Sequence, residues 1–184
     1  CHENHRRLVR RNRIGYRDTE AQQPQATAGL RRVVRMILTA SIGIYNRQKA
    51  HKTPLPWLRR IAKAAFPLCL EAEKDGPENV LRSLEEVEIS LVSDSEIARV
   101  HGEFLQDPTP TDVITFHHGE ILISTETAAR QAVEHGQTFD HEIALYIVHG
   151  LLHLAGWDDH EPNEAREMAQ TQERILATAL TAAK

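Results

Sequence analysis

Apolar and polar side chains alternate along this chain with two periods, and each switch between them marks an element. MILTASIGIYN, 36–46, ends in an alternation of Ile42, Ile44 and Asn46 that predicts a strand. WLRRIAKAAFPLCLEAEK, 57–74, has helical spacing, with Pro67 expected to kink or break the helix before Asp75-Gly76-Pro77 closes the unit. VEISLV, 87–92, sets Val87, Ile89 and Leu91 on one face and Glu88 and Ser90 on the other, the pattern of a half-buried strand. Ser93 with Glu96 reads as a capping box opening a helix to about Phe104. VITF, 113–116, and EILIS, 120–124, flank a His-His-Gly turn and predict a hairpin. Ser124 is placed to cap a helix that stops at Gly136. DHEIALYIVHGLLHLAG, 140–156, runs from an Asp140 cap to a Gly156 stop and is apolar on most of its circumference, so a central, buried helix is expected. Pro162 suits the first turn of a last amphipathic helix carrying Ala165, Met168, Ile175 and Leu176.

Length and charge refine this picture. A chain of 184 residues fits one domain, or one domain plus a tail. Its net charge of −4 hides an asymmetry: residues 1–35 carry nine arginines against Glu3, Asp18 and Glu20. The segment 1–38 is therefore expected to be a basic, disordered extension, with 39–184 as the folded domain. Residue 1 is Cys and Met36 precedes the first strand, so a translation start at Met36 is favoured over a basic RNA-contacting arm. No apolar run approaches the roughly 20 residues of a membrane span, and no signal-peptide pattern is visible. Cys1 and Cys69 cannot make a disulfide framework. A soluble, cytoplasmic protein without a membrane partner is the expectation.

Candidate chemistry is concentrated in HGLLHLAGWDDH, 149–160. His149 and His153 are four residues apart, so on a helix their rings share one face and can hold one cation. The next position on that face, Trp157, lies beyond the helix stop, so a third ligand must come from elsewhere. Gly156 can adopt a left-handed conformation and turn the chain back, which would carry His160 to the metal. Three neutral nitrogens and one position open to water describe a catalytic zinc site. Solvated or locally satisfied histidines are the alternative, but two of them on an otherwise apolar helix cost too much burial to be idle. His117 and His118 read as solvated turn residues, His135 as a cation at a helix C-terminus, and His101 and His141 as ordinary.

HGLLHLAGWDDH resembles the H-G-x-L-H-L-x-G-[YFW]-D-H signature of the YbeY family of endoribonucleases. PTDVITF, 110–116, GEILIS, 119–124, IYNRQ, 44–48, and Glu167-Met168 resemble further family segments in the same order. The resemblance implies an α+β fold; with the elements above, this becomes a single domain whose small mixed sheet of about four strands is flanked by about five helices, with the metal site on the central helix. It also implies one zinc ion held by His149, His153 and His160, with Thr111 and Asp112 beside the metal cleft, Thr111 as a substrate-binding residue. The implied activity is metal-dependent cleavage of single-stranded RNA in ribosomal RNA maturation, at the 3′ end of the small-subunit RNA, and in ribosome quality control. The small ribosomal subunit and its assembly factors would be partners.

Two departures stand out. The family has five residues between its second and third histidines and this chain has six, which makes Asp159 the fallback for His160. Where the family carries an arginine after an aromatic residue, and an asparagine four residues earlier, this chain has Leu105 after Phe104, and His101. Asp112, Asp158 and Asp159 are the candidates for proton transfer or for orienting ligands. Arg59, Arg60 and Lys63 lie in a basic stretch that would hold an RNA backbone or simply form a solvated helix face. Gly150 stands where metalloproteases place a glutamate, which argues against peptide hydrolysis. A hydrolase of another class, such as a peptidase, and a non-enzymatic assembly factor with a structural zinc remain the alternatives.

Overall fold

The computed structural model describes residues 40–184. The basic head, the expected start at Met36 and the boundary at residue 38 lie outside the described residues. In chain order the elements are β1 (Ser41–Asn46), α1 (Leu55–Glu71), a short 3-10 turn (Leu81–Ser83), β2 (Glu86–Val92), α2 (Asp94–Leu105), β3 (Val113–Thr115), β4 (Glu120–Ser124), α3 (Thr125–His135), α4 (Phe139–Leu154) and α5 (Pro162–Ala182). The α+β expectation is met: one mixed sheet in the order β1-β2-β4-β3 has parallel pairs β1/β2 and β2/β4, and β3 pairs with β4 antiparallel as the expected hairpin.

β2 differs from its half-buried reading. Val87, Ile89 and Leu91 face the main core shared with α1, α4 and α5. Val92 faces the other way, into a smaller cluster of Ile97 and Val100 from α2 with Ile114 and Leu122, and Ser90 is fully buried. A central strand with parallel neighbours is covered on both faces, whatever its alternation suggests. Pro67 does not break α1 either. Leu58, Ile61, Ala62 and Ala65 before it and Cys69 after it bury the same face, while the proline ring lies on the exposed side. Core packing on both sides outweighs the backbone hydrogen bond that Pro67 cannot donate.

The caps are mostly as read. Ser93 Oγ accepts from the Glu96 amide (3.2 Å), but the Glu96 carboxylate turns to Arg99 (2.7 Å), so only half of the capping box forms. Ser124 Oγ accepts from the Thr127 amide (3.2 Å), and Gly136 ends α3 at φ +65°. α4 is capped by Thr138, not Asp140: Thr138 Oγ1 accepts from the His141 amide at 3.2 Å. Phe139 packs on the main core and the cap lies two residues earlier than expected, leaving Asp140 in the first turn, where a carboxylate still favours the helix dipole. Ten of the sixteen residues of α4 are buried, which makes it the central helix. Among the described residues, no helix is long and apolar enough to cross a membrane.

Candidate metal centre

Gly150 sets how closely α4 lies on the sheet. A Cβ there would come within 2.8 Å of Ile121 Cγ2 on β4, so only glycine permits this approach. The contact fixes the helix whose other face carries His149 and His153, both half-buried. Their ring centroids are 4.5 Å apart at an interplanar angle of 89°. His149 Nδ1 donates to Gln172 Oε1 on α5 (2.9 Å), and His153 Nδ1 donates to the Trp157 carbonyl (3.0 Å). Both partners are oxygen acceptors, so in each neutral ring the proton sits on Nδ1 and the lone pair on Nε2. The two Nε2 atoms stand 2.9 Å apart, lone pair to lone pair. A proton between them is a poor solution at neutral pH, because burial, and then charge on His149, lower the His153 pKa to about 3.

The turn after α4 brings acidic groups to this pair. Gly156 takes φ +87°, and a Cβ on it would approach Asn79 Cβ (3.1 Å) and the Lys74 carbonyl (3.2 Å). Trp157 Nε1 donates to the Ala72 carbonyl (2.8 Å), and Lys74 Nζ lies 4.1 Å from the centre of its ring. So anchored, the chain returns along the histidine face. Asp159 offers a carboxylate oxygen, and ligand atoms of His149, His153 and Asp159 all lie within 4.8 Å of one another. Asp159 Oδ1 is buried without a hydrogen-bond partner, and burial raises its pKa. His160 turns outward: its Nδ1 is bonded to Asp158 Oδ1, which also accepts from the His160 backbone amide (3.2 Å). Burial works against charge on Asp158, but the bonds from His160 outweigh it and hold the carboxyl below its usual range. His160, Asp158 and Asp159 form a second close group that shares Asp159 with the first. Two imidazole lone pairs and an unpartnered carboxylate oxygen fit a divalent cation.

The sequence model of the family described as "Endoribonuclease YbeY" matches residues 43–179, most of the chain and all of this site. The chain belongs to the YbeY family. The Endoribonuclease YbeY of Geobacter metallireducens is 31% identical over 156 residues, 74% of this chain and 93% of its own length. That of Carboxydothermus hydrogenoformans is 40% identical over 100 residues, 50% of this chain and 70% of its own. A solution structure from Thermotoga maritima superposes with a TM-score of 0.50 at 26% identity, covering 75% of this chain and 88% of that one.

Of the other residues singled out in this YbeY chain, Thr111 is buried, and its Oγ1 donates to Asp112 Oδ1 (3.1 Å), which also accepts from the Val113 amide (2.9 Å). Asp112 is not among the groups of potential metal ligands that include His149, His153 or Asp159 among the described residues. Arg59 donates to the Ile44 carbonyl (2.9 Å) and Arg60 to the Ala183 carbonyl (3.1 Å). Among the described residues, no hydrogen bond or ion pair joins Arg59, Arg60 or Lys63 to the histidines. The side chain of Leu105 lies outside the described residues. His101 is buried, with Nδ1 donating to the Thr109 carbonyl (2.9 Å), and His135 pairs with the buried Glu142 (3.3 Å). Gln172, the partner of His149, was not foreseen: it is 23 residues away, and no local pattern marks it. A cleft of about 900 Å³ opens on the α2 side of the sheet beside Phe104, Phe116 and His118. It shares no residue with the metal centre.

Proposed function

We propose that this chain is a metal-dependent endoribonuclease that cuts single-stranded RNA. Its cellular work would be ribosomal RNA maturation, at the 3′ end of the small-subunit RNA, and ribosome quality control. It would act in the cytoplasm with the small subunit and its assembly factors. The observation that carries the reading is the pair of Nε2 lone pairs facing one another beside an unpartnered carboxylate, in a chain whose relatives bear the name Endoribonuclease YbeY.

His149, His153 and one side chain of the 158–160 turn, His160 or Asp159, would hold the ion, and zinc suits that donor set. When bound, such an ion lowers the pKa of a coordinated water and polarises a phosphate oxygen. The chain's own groups do the rest. Gln172 and the Trp157 carbonyl keep both Nε2 lone pairs turned inward. Asp112, Asp158 and Asp159 would be the carboxylates that orient a water or move a proton, and the bond from Thr111 supports Asp112 in that role. Arg59, Arg60 and Lys63 are exposed on α1, so each has donors left for an RNA backbone.

The peptidase alternative loses support here. The position after His149 faces β4, where Ile121 fills the space that a glutamate base would need. The test is cleavage of an end-labelled single-stranded ribosomal RNA fragment by the wild type and by His153→Ala, purified in parallel. Cutting by the wild type alone, stopped by chelation, is expected. Equal cutting by both would assign the activity to a contaminant and move the assembly-factor reading to the front.

A further inference from the structure

The geometry points to Asp159, not His160, as the third protein ligand, with His160 outside the centre; this rests on the metal-site reading above. Three observations converge. First, Asp159 is grouped with both histidines within 4.8 Å, whereas the group containing His160 includes neither His149 nor His153. Second, Asp159 Oδ1 is buried with no hydrogen-bond partner, although the same loop supplies amides to Asp158. A buried carboxylate oxygen left bare is costly, and a cation at the two Nε2 atoms would satisfy it. Third, His160 lies outward in the turn: its side chain is 44% exposed, and Asp158 Oδ1 takes both its Nδ1 and its backbone amide. The bond through Nδ1 leaves Nε2 free, so it is position, not engagement with Asp158, that leaves His160 out of the group formed by His149, His153 and Asp159.

The centre is then two imidazoles and one carboxylate. Its charge differs from that of an all-histidine site: the carboxylate cancels one unit of a divalent ion's charge. The oxygen donor also makes the centre more hospitable to manganese or ferrous iron than three imidazoles would be.

The test measures Zn²⁺ affinity by competition with a chromophoric chelator for the wild type, Asp159→Asn, His160→Ala and His149→Ala, with circular dichroism and thermal melts to show that each is folded. Asp159→Asn keeps the shape of the side chain and is expected to bind Zn²⁺ more than roughly 100-fold more weakly, beyond the 10–100-fold typical of losing an outer partner. His160→Ala is expected to stay within a few-fold of wild type. The reverse order, or equal losses in both, overturns the inference while leaving the metal site intact. Unchanged affinity in His149→Ala would instead sink the metal-site reading itself. A second measurement is independent of these variants: Cu²⁺ loaded into the wild type should show superhyperfine coupling to two imidazole nitrogens. Coupling to three would return His160 to the centre.

Discussion

At the scale of single residues, the positions that matter most are those that spend a polar group on another side chain's orientation. Gln172 holds the His149 tautomer from α5. Gln172→Ala should therefore weaken Zn²⁺ binding by about 10–100-fold without unfolding the protein, and Gln172→Glu, which keeps an acceptor at that point, should recover much of the loss. An imidazole ¹⁵N spectrum would separate this role from simple packing, because only loss of the acceptor redistributes the His149 proton between its two nitrogens. Asp94 does similar work for the fold. Burial opposes its charge, but hydrogen bonds from Arg130 (2.7 Å), Ser124 and Thr127 (2.8 Å) outweigh that and hold its pKa below the ordinary value. A carboxyl depressed in the folded state contributes stability above its unfolded pKa, near 3.9, and loses it as pH falls through the folded value. Because Arg130 is exposed, the effect is modest. Asp94→Asn should cost about 1–2 kcal/mol at pH 7, and its urea midpoint should approach that of the wild type as pH falls from the unfolded carboxylate pKa through the lower folded one.

Among the elements, α4 carries the two histidines of the proposed site, and its seat on the sheet is the sensitive joint. Gly150→Ala places a Cβ 2.8 Å from Ile121, which should cost about 1–3 kcal/mol by overpacking and shift both histidines. Adding Ile121→Val removes one of the clashing carbons, so the double variant should melt above Gly150→Ala alone; additive losses would show that the two positions do not meet. Other elements show where a local pattern suffices. Ser124 and Gly136 bracket α3 through bonds to residues within one turn, and both were legible. Asp140 and Thr138 were equally plausible caps by type, and the packing of Phe139 against the core decided between them. Pro67 shows the converse, a strong local breaker carried inside a helix because buried residues on both sides hold it there.

For the whole molecule, the candidate metal centre stands at the margin of the main core: His149, His153 and Asp159 are half-buried and lie outside the hydrophobic cluster. Trp157 is pinned to Ala72 and Lys74, and the main core joins α1, α4, α5 and the sheet. Chelation should abolish RNA cleavage, leave the far-ultraviolet circular dichroism unchanged and lower Tm only by the free energy of ion binding; unfolding on chelation would instead mark the ion as structural. The sequence by itself determined the strands, most of the helix ends and the His149–His153 pair, since each depends on residues within about one turn or along one strand, where backbone period alone sets which side chains meet. The strand order β1-β2-β4-β3, the two-sided burial of β2, the bond from Gln172 and the choice of Asp159 beside the histidines were decided only by the tertiary structure. Those features join groups that the chain does not hold together locally, so they arise only once the core has closed around α4.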